Sequence, residues 1–250
     1  MFVAASTCCY SELCVKEALG KLADLEYTAS EIVIGKKEKT FFFSDGEEES
    51  YENFIILCRL SRQIAPTAFF VDIEPDDPEF MDQFRMTCEL AKSTKVVHIT
   101  VKASLQGTPF NAEVERLREL TKMAIHDGLI IGVLTEQGRM TEDPDSVKSF
   151  CKIVNHLTVT LDTSHFIYGY QKPKEYEHIL EHVSHIRLRD TTKEKFQIQV
   201  GQGIQDYSRL IIQLEKVNYR RALCVDLAPL PNLDHDAEMR KMRLLLESLL

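Results

Sequence analysis

Glycine and proline are scarce, 10 and 8 of 250 residues, while 44% of the chain is apolar and 28% charged. Collagen-like and disordered chains show the opposite balance, so an ordinary globular fold is expected, with the acidic run Gly46–Ser50 the one stretch that reads as unstructured. No apolar run approaches the roughly 20 residues that span a bilayer. The N-terminus lacks the basic-then-apolar layout of a secretory signal, so the expectation is a cytoplasmic protein with no membrane partner. Positive charge is also short, 30 Lys and Arg against 39 Asp and Glu for a net charge of −9. That argues against a protein built to grip nucleic-acid backbone, which needs a clustered positive surface. The seven cysteines (8, 9, 14, 58, 88, 151 and 224) form no Cys-x-x-Cys, and their odd number suits reduced, buried thiols better than a disulfide framework.

What is present is a regular alternation of short apolar runs with helix-like segments. Strands are predicted at Met1–Ser6, Tyr27–Ile34, Thr67–Ile73, Lys95–Val101, Leu129–Thr135, Leu157–Leu161, Ser184–Leu188 and Ala222–Leu227. The intervening helices run from a cap at Ser11 to about Asp24, over Glu52–Ile64 with Pro66 as its stop, and from Pro78 to about Lys92. They continue over Ala112–His126, from Thr141 with Pro144 just inside the start, over Pro173–His182, from Tyr207 to Val217, and over Asp234–Leu250. Helical spacing of apolar residues and the capping residues carry these assignments. Eight strands alternating with eight helices predict an α/β fold, a single (β/α)8 TIM barrel occupying residues 1–250. No glycine-rich phosphate fingerprint follows the first strand, which weighs against a doubly wound open sheet. Lys36–Ser50 reads either as an active-site loop whose Phe41, Phe42 and Phe43 cover a pocket or as a connection pinned to the core.

In such barrels functional groups collect at the carboxyl ends of the strands. Glu136, Asp162 and Asp226 each stand at or next to the end of a predicted strand, so they should converge on one face. Carboxylates packed together repel unless a positive charge sits among them. A divalent cation, Mg, Mn, Co or Zn, would suit carboxylate and imidazole ligands. His98 and His185 lie within strands, whereas His165 follows Asp162 at one turn's distance and is the stronger candidate.

Glu136, the Leu161-Asp-Thr-Ser-His165 run, the His185-Ile-Arg-Leu-Arg-Asp190 run with the later Gly201-Gln-Gly203, and Asp226 together resemble the xylose isomerase-like TIM barrel group of sugar phosphate isomerases and epimerases. The resemblance implies one divalent metal held by Glu136, Asp162, His185 and Asp226, with Glu136 and Asp226 as acid and base on adjacent sugar carbons. It implies substrate contacts from His165, and Arg187 and Lys193 are placed where a cationic contact would serve. Two positions depart from the family pattern. Strand eight supplies Asp226 in place of Glu, and Arg187 stands where the metal histidine is usual, with His185 two residues deeper on the same strand face. Arg187 could itself neutralise the acids, since guanidinium is permanently charged and matches carboxylates. The expected function is a metal-dependent sugar or sugar-phosphate isomerase or epimerase that abstracts a proton next to a carbonyl. The alternatives are a non-catalytic sugar-binding or regulatory barrel with a degenerate metal site and, behind it, a DNA repair enzyme resembling endonuclease IV. The expected partner is a small sugar or sugar phosphate, with a homo-oligomer left open.

Overall fold

The computed structural model describes residues 1–36, 40–43, 48–60 and 64–250. Eight parallel strands close on themselves in sequence order. They are β1 (Phe2–Ser6), β2 (Ala29–Gly35), β3 (Ala65–Asp72), β4 (His98–Val101), β5 (Ile130–Leu134), β6 (Leu157–Asp162), β7 (Val183–Leu188) and β8 (Ala222–Val225). The ring closes where Phe2 to Ala5 of β1 pair with Ala222 to Val225 of β8. Outside it lie α1 (Val15–Asp24), α2 (Glu48–Leu60), α3 (Phe80–Thr94), α4 (Phe110–Ile125), α5 (Pro144–Ile153), α6 (Tyr207–Lys216) and α7 (His235–Glu247). The expected (β/α)8 architecture is present. Among the described residues no helix is long and apolar enough to cross a membrane.

Two expectations are corrected. The stretch predicted as a helix over Pro173–His182 has no regular structure up to Tyr176, and only Glu177–His182 turns, as a 3-10 helix. Its apolar residues, Ile179 and Leu180, fill one short contact against the barrel, too little to hold several α-helical turns. Second, Pro66 does not stop a helix, because α2 ends at Leu60 and Pro66 is the second residue of β3. There it sits beside a register shift in the pairing with β2, where a missing N–H is tolerated. The Lys36–Ser50 stretch, for which two readings were open, lies partly outside the described residues. Within it Phe43 is buried, and Phe41 stacks on Phe54 of α2 at 3.9 Å between ring centroids, so these two rings join the core.

The main core lies between strands and helices. Val3, Ile32, Phe69, Ile99, Ile131, Val159, Ile186 and Leu223 face outward onto helix residues such as Leu22, Phe84, Leu117, Phe150, Leu214 and Met242. The inward face is different. Small residues Ala4, Ala29, Ala222 and Cys224 fill one part of it, but Glu31, His98, Thr100, Thr160, His185 and Arg187 are buried as well. Barrels of this kind usually fill that space with branched apolar side chains. Here polar groups occupy it, and each needs a partner. His98 has both ring nitrogens engaged, Nε2 with Thr100 and Thr160 Oγ1 (3.2 Å each) and Nδ1 with Ser184 Oγ (3.3 Å). Gly132 on β5 makes room for it, since a Cβ there would stand 2.7 Å from His98 Cε1 and 2.4 Å from Thr160 Oγ1.

Candidate active site

Period-two alternation along β7 sends His185 and Arg187 to the barrel axis and carries Arg189 just past the strand end on the same side. Around these three the acids of the mouth are arranged. Glu31, fully buried on β2, accepts a hydrogen bond from His185 Nε2 at 3.0 Å and lies 3.3 Å from Arg187 Nε. Arg187 Nη2 reaches Asp226 Oδ2 at 2.9 Å, and its guanidinium lies over the Phe70 ring at 4.6 Å. Arg189 Nη2 donates to Asp162 Oδ2 at 2.9 Å and also to Asp226 Oδ2, so one guanidinium bridges β6 and β8. Its outer face packs on Phe196 at 4.5 Å.

Burial by itself would keep these carboxyls protonated; the guanidinium charges win. Glu31 is brought down to about 2 because Arg187 and the His185 hydrogen bond outweigh its desolvation. Asp162 is also held below its ordinary value, by Arg189, His165 and the Ser164 hydroxyl against the same burial cost. Ser164 donates to Asp162 Oδ1 through both its backbone N–H (3.0 Å) and its hydroxyl. Burial pushes His165 below the ordinary imidazole value despite Asp162 nearby. It is therefore neutral near pH 7. Gln137 N–H donates to its Nδ1 at 3.3 Å, which leaves the proton on Nε2, 3.8 Å from Asp162 Oδ2.

A second string of charges covers the β3–β5 side. Lys102 pairs with Asp72 (2.5 Å) and Glu74 (2.9 Å), and Arg139 binds Glu74 through Nη2 (2.8 Å) and Glu136 Oε2 through Nε (2.6 Å). Glu136 follows β5 and is only partly buried. Its Oε1 and Asp226 Oδ1 take part in none of these bonds.

Of the residues singled out in the sequence, Asp162, His165, Arg187 and Asp226 come together at the mouth, and Glu136 stands on the rim through Arg139. His185 is deeper, on Glu31. Lys193 is exposed and donates to the Gln171 carbonyl at 2.6 Å. Arg189, Glu31, Arg139, Glu74 and Lys102 were not singled out. The period-two run His185, Arg187, Arg189 was the available signal for the first of them. Gly201 and Gly203 serve the loop after β7. Gly201 N–H donates to Asp190 Oδ2 at 2.5 Å, and a Cβ on Gly203 would stand 2.1 Å from Asp190 Oδ1. The loop folded back in this way carries Phe196 to Arg189. Beside Arg189 and Asp226 a cleft of about 240 Å³ opens toward Thr7, Cys8 and Val33, a little under the roughly 300–1,000 Å³ of small-molecule sites. A cleft of about 630 Å³ on the flank, between Tyr176 and α6, touches none of the mouth acids.

The family model for xylose isomerase-like TIM barrels matches residues 19–244. The chain belongs to that family. No curated protein sequence matches it. Among solved structures, a D-tagatose 3-epimerase-like protein superposes with a TM-score of 0.78 at 16% identity, covering 100% of this chain and 98% of that one. The D-allulose 3-epimerase of Methylomonas sp., solved with D-allulose, gives 0.77 at 12% identity over 100% and 97%. A xylose isomerase-like TIM barrel protein of Mycobacterium smegmatis, in complex with magnesium, gives 0.74 at 13% identity over 99% and 97%. At such identities these likenesses show the fold.

Whether this chain's residues suit a resident divalent ion can be judged from its own side chains. Among the described residues, the one group of three or more His, Cys, Asp and Glu whose ligand atoms lie within 4.8 Å of one another is Glu31, His185 and Cys224. It is a possible metal site by spacing. Its Glu31 is already bonded to His185 and Arg187, and burial keeps the Cys224 thiol protonated. At the mouth, the place between Asp162 and Asp226 is taken by the Arg189 guanidinium. The mouth residues as arranged do not fit a resident metal, since a divalent ion there would meet two fixed positive charges.

Proposed function

We propose that this chain is a sugar-modifying enzyme of the isomerase and epimerase type, acting on a small polyhydroxy carbonyl compound by proton abstraction next to the carbonyl. The observation that carries the proposal is the pair of carboxylate oxygens, Glu136 Oε1 and Asp226 Oδ1, which make no hydrogen bond among the described residues while the partner oxygen of each is anchored by guanidinium. An anchored carboxylate with one open lone pair is a positioned general base. Glu136 and Asp226 stand on strands three apart around the ring, so one can remove a proton and the other return it. His165, neutral with its proton on Nε2, supplies a donor for a sugar oxygen. The epimerase relatives, one of them solved with D-allulose, support the substrate class.

The assay is solvent deuterium exchange on a panel of ketoses and aldoses, free and phosphorylated, followed by mass spectrometry and NMR. Deuterium should enter at the carbon next to the carbonyl, and Glu136→Gln should lower the exchange rate by about 10²–10⁴-fold, the usual contribution of a general base. A specific observation also favours a second reading. Every acid of the mouth is held by a cation, as in a site built to bind rather than to react. Saturable sugar binding with no exchange on any panel member would establish that reading and refute the first.

A further inference from the structure

At the mouth of this chain the positive charge among the acids is supplied by two arginines. Arg187 Nη2 and Arg189 Nη2 both bond Asp226 Oδ2, and Arg189 extends to Asp162 while Arg187 extends to Glu31. Two fixed positive charges are thus shared among three buried acids. Both side chains are themselves buried or nearly so, and neither can swing into water without leaving those acids unpaired. Arg187 Nε faces Glu31 Oε1 at 3.3 Å. Arg189 Nε is buried and makes no hydrogen bond among the described residues, which is costly in a folded protein unless something else accepts from it.

We propose that Arg187 and Arg189 are the resident cation of this site, so that the protein binds and polarises the oxygens of its ligand through guanidinium groups and works without a divalent metal. This inference rests on the sugar-modifying reading for the identity of the ligand but not for the cation itself. Guanidinium has the geometry for it: planar, always charged, and able to offer two parallel donors to a carbonyl and its neighbouring hydroxyl. Arg189 and Asp226 line the same cleft. An oxyanion forming there would meet a charge that needs no reorganisation, the arrangement that stabilises developing negative charge best.

The test starts with the metal, independently of turnover. Full-length protein, produced in medium supplemented with Mg, Mn, Co and Zn, is analysed for bound metal by mass spectrometry, and its melting temperature is recorded with each ion and with EDTA. The expected result is a substoichiometric metal content and no shift in melting temperature with ion or chelator. Arg189→Met, which uncovers Asp162 and Asp226, should show an EDTA-reversible upward shift with Mn or Co that the parent lacks. One equivalent of metal in the parent, lost in Asp162→Asn or in His185→Ala, would overturn the proposal. Arg189→Met need not fold for that measurement to decide. The second arm is ligand binding: if a sugar from the panel binds, EDTA should leave its affinity unchanged and Arg189→Lys should weaken it by about tenfold, the cost of losing a two-donor contact. Failure of every sugar with a metal-free parent refutes the substrate reading alone, whereas metal-dependent binding refutes this one.

Discussion

Glu31→Gln offers the sharpest check on how the interior of this barrel is held together. Glu31 is fully buried, bonded to His185 and paired with Arg187. Its carboxyl sits at about 2 against an ordinary 4.5. At about 1.36 kcal/mol per pH unit, that gap is on the order of 3 kcal/mol of folding stability at neutral pH. It agrees with the roughly 3–5 kcal/mol lost when one partner of a buried ion pair is removed. For a chain of this length a loss of that size lowers the melting temperature by about 7–14 °C. The folded-state value is depressed, so the contribution is complete above pH 4.5 and disappears as pH falls toward 2. At pH 3 the unfolded chain has taken up the proton and most of the folded chain has not, which leaves on the order of 1 kcal/mol. Urea unfolding of parent and Glu31→Gln at pH 7 and pH 3 gives the difference directly, because the other titrating groups are common to both. The stability gap should narrow by about 2 kcal/mol between the two pH values. A gap that is the same at both, or smaller than about 0.5 kcal/mol at pH 7, would show that the Glu31 charge does not hold the Arg187 side of the interior.

Two further expectations concern packing. Gly132→Ala places a methyl group against His98 and Thr160 at under 3 Å, an overpacking that should cost about 1–3 kcal/mol in urea unfolding; a neutral result would mean that the His98 ring is free to shift. Alkylation of the native protein with iodoacetamide at pH 8, followed by peptide mass spectrometry, should modify Cys14 first. Cys14 alone among the seven is exposed, whereas burial pushes Cys8 up to about 11 and Cys58, Cys88 and Cys151 up to about 12, so little thiolate is present at those positions. Equal labelling of Cys58 or Cys88 under native conditions would contradict their burial.

The barrel was legible because its signal repeats. Each strand is a short apolar run, most of them ended by a polar group, and each α-helix begins within four residues of its predicted start. Asp162 and Asp226 were legible for the same reason, as acids at strand ends. Arg189 was not, because a charged residue one step past a strand normally faces solvent, and only the acids of β6 and β8 turn it inward. Glu31 falls inside the predicted strand Tyr27–Ile34 with nothing local to single it out. Its burial depends on His185, 154 residues away in the chain, and no local pattern encodes that. The segment ahead of β7 failed for the opposite reason. Its residues can form a helix, but only Ile179 and Leu180 are buried there, and tertiary contact decides the outcome over propensity.

The same long-range pairing suggests why an arginine can stand at the deep end of this mouth. Arg187 shares its charge between Glu31 and Asp226, and without it Glu31 would keep only His185 and the Ser6 hydroxyl, so the buried acid is tolerable through the arginine. Stability and ligand binding should then separate in a double variant. Arg187→Met removes the guanidinium that faces Glu31 and should cost about 3–5 kcal/mol. Adding Glu31→Leu removes the orphaned acid and lets two apolar side chains fill the space beside Phe70 and Val33. Buried ion pairs exchanged for apolar residues of similar volume are often neutral or better, so the double variant should recover most of what the single one loses. Calorimetric binding of the sugar would nevertheless stay weak, since the Arg187 charge is gone from the mouth. If the double variant is instead as unstable as the sum of the two single ones, Glu31 and Arg187 act through separate partners, and the coupling between barrel interior and mouth does not exist.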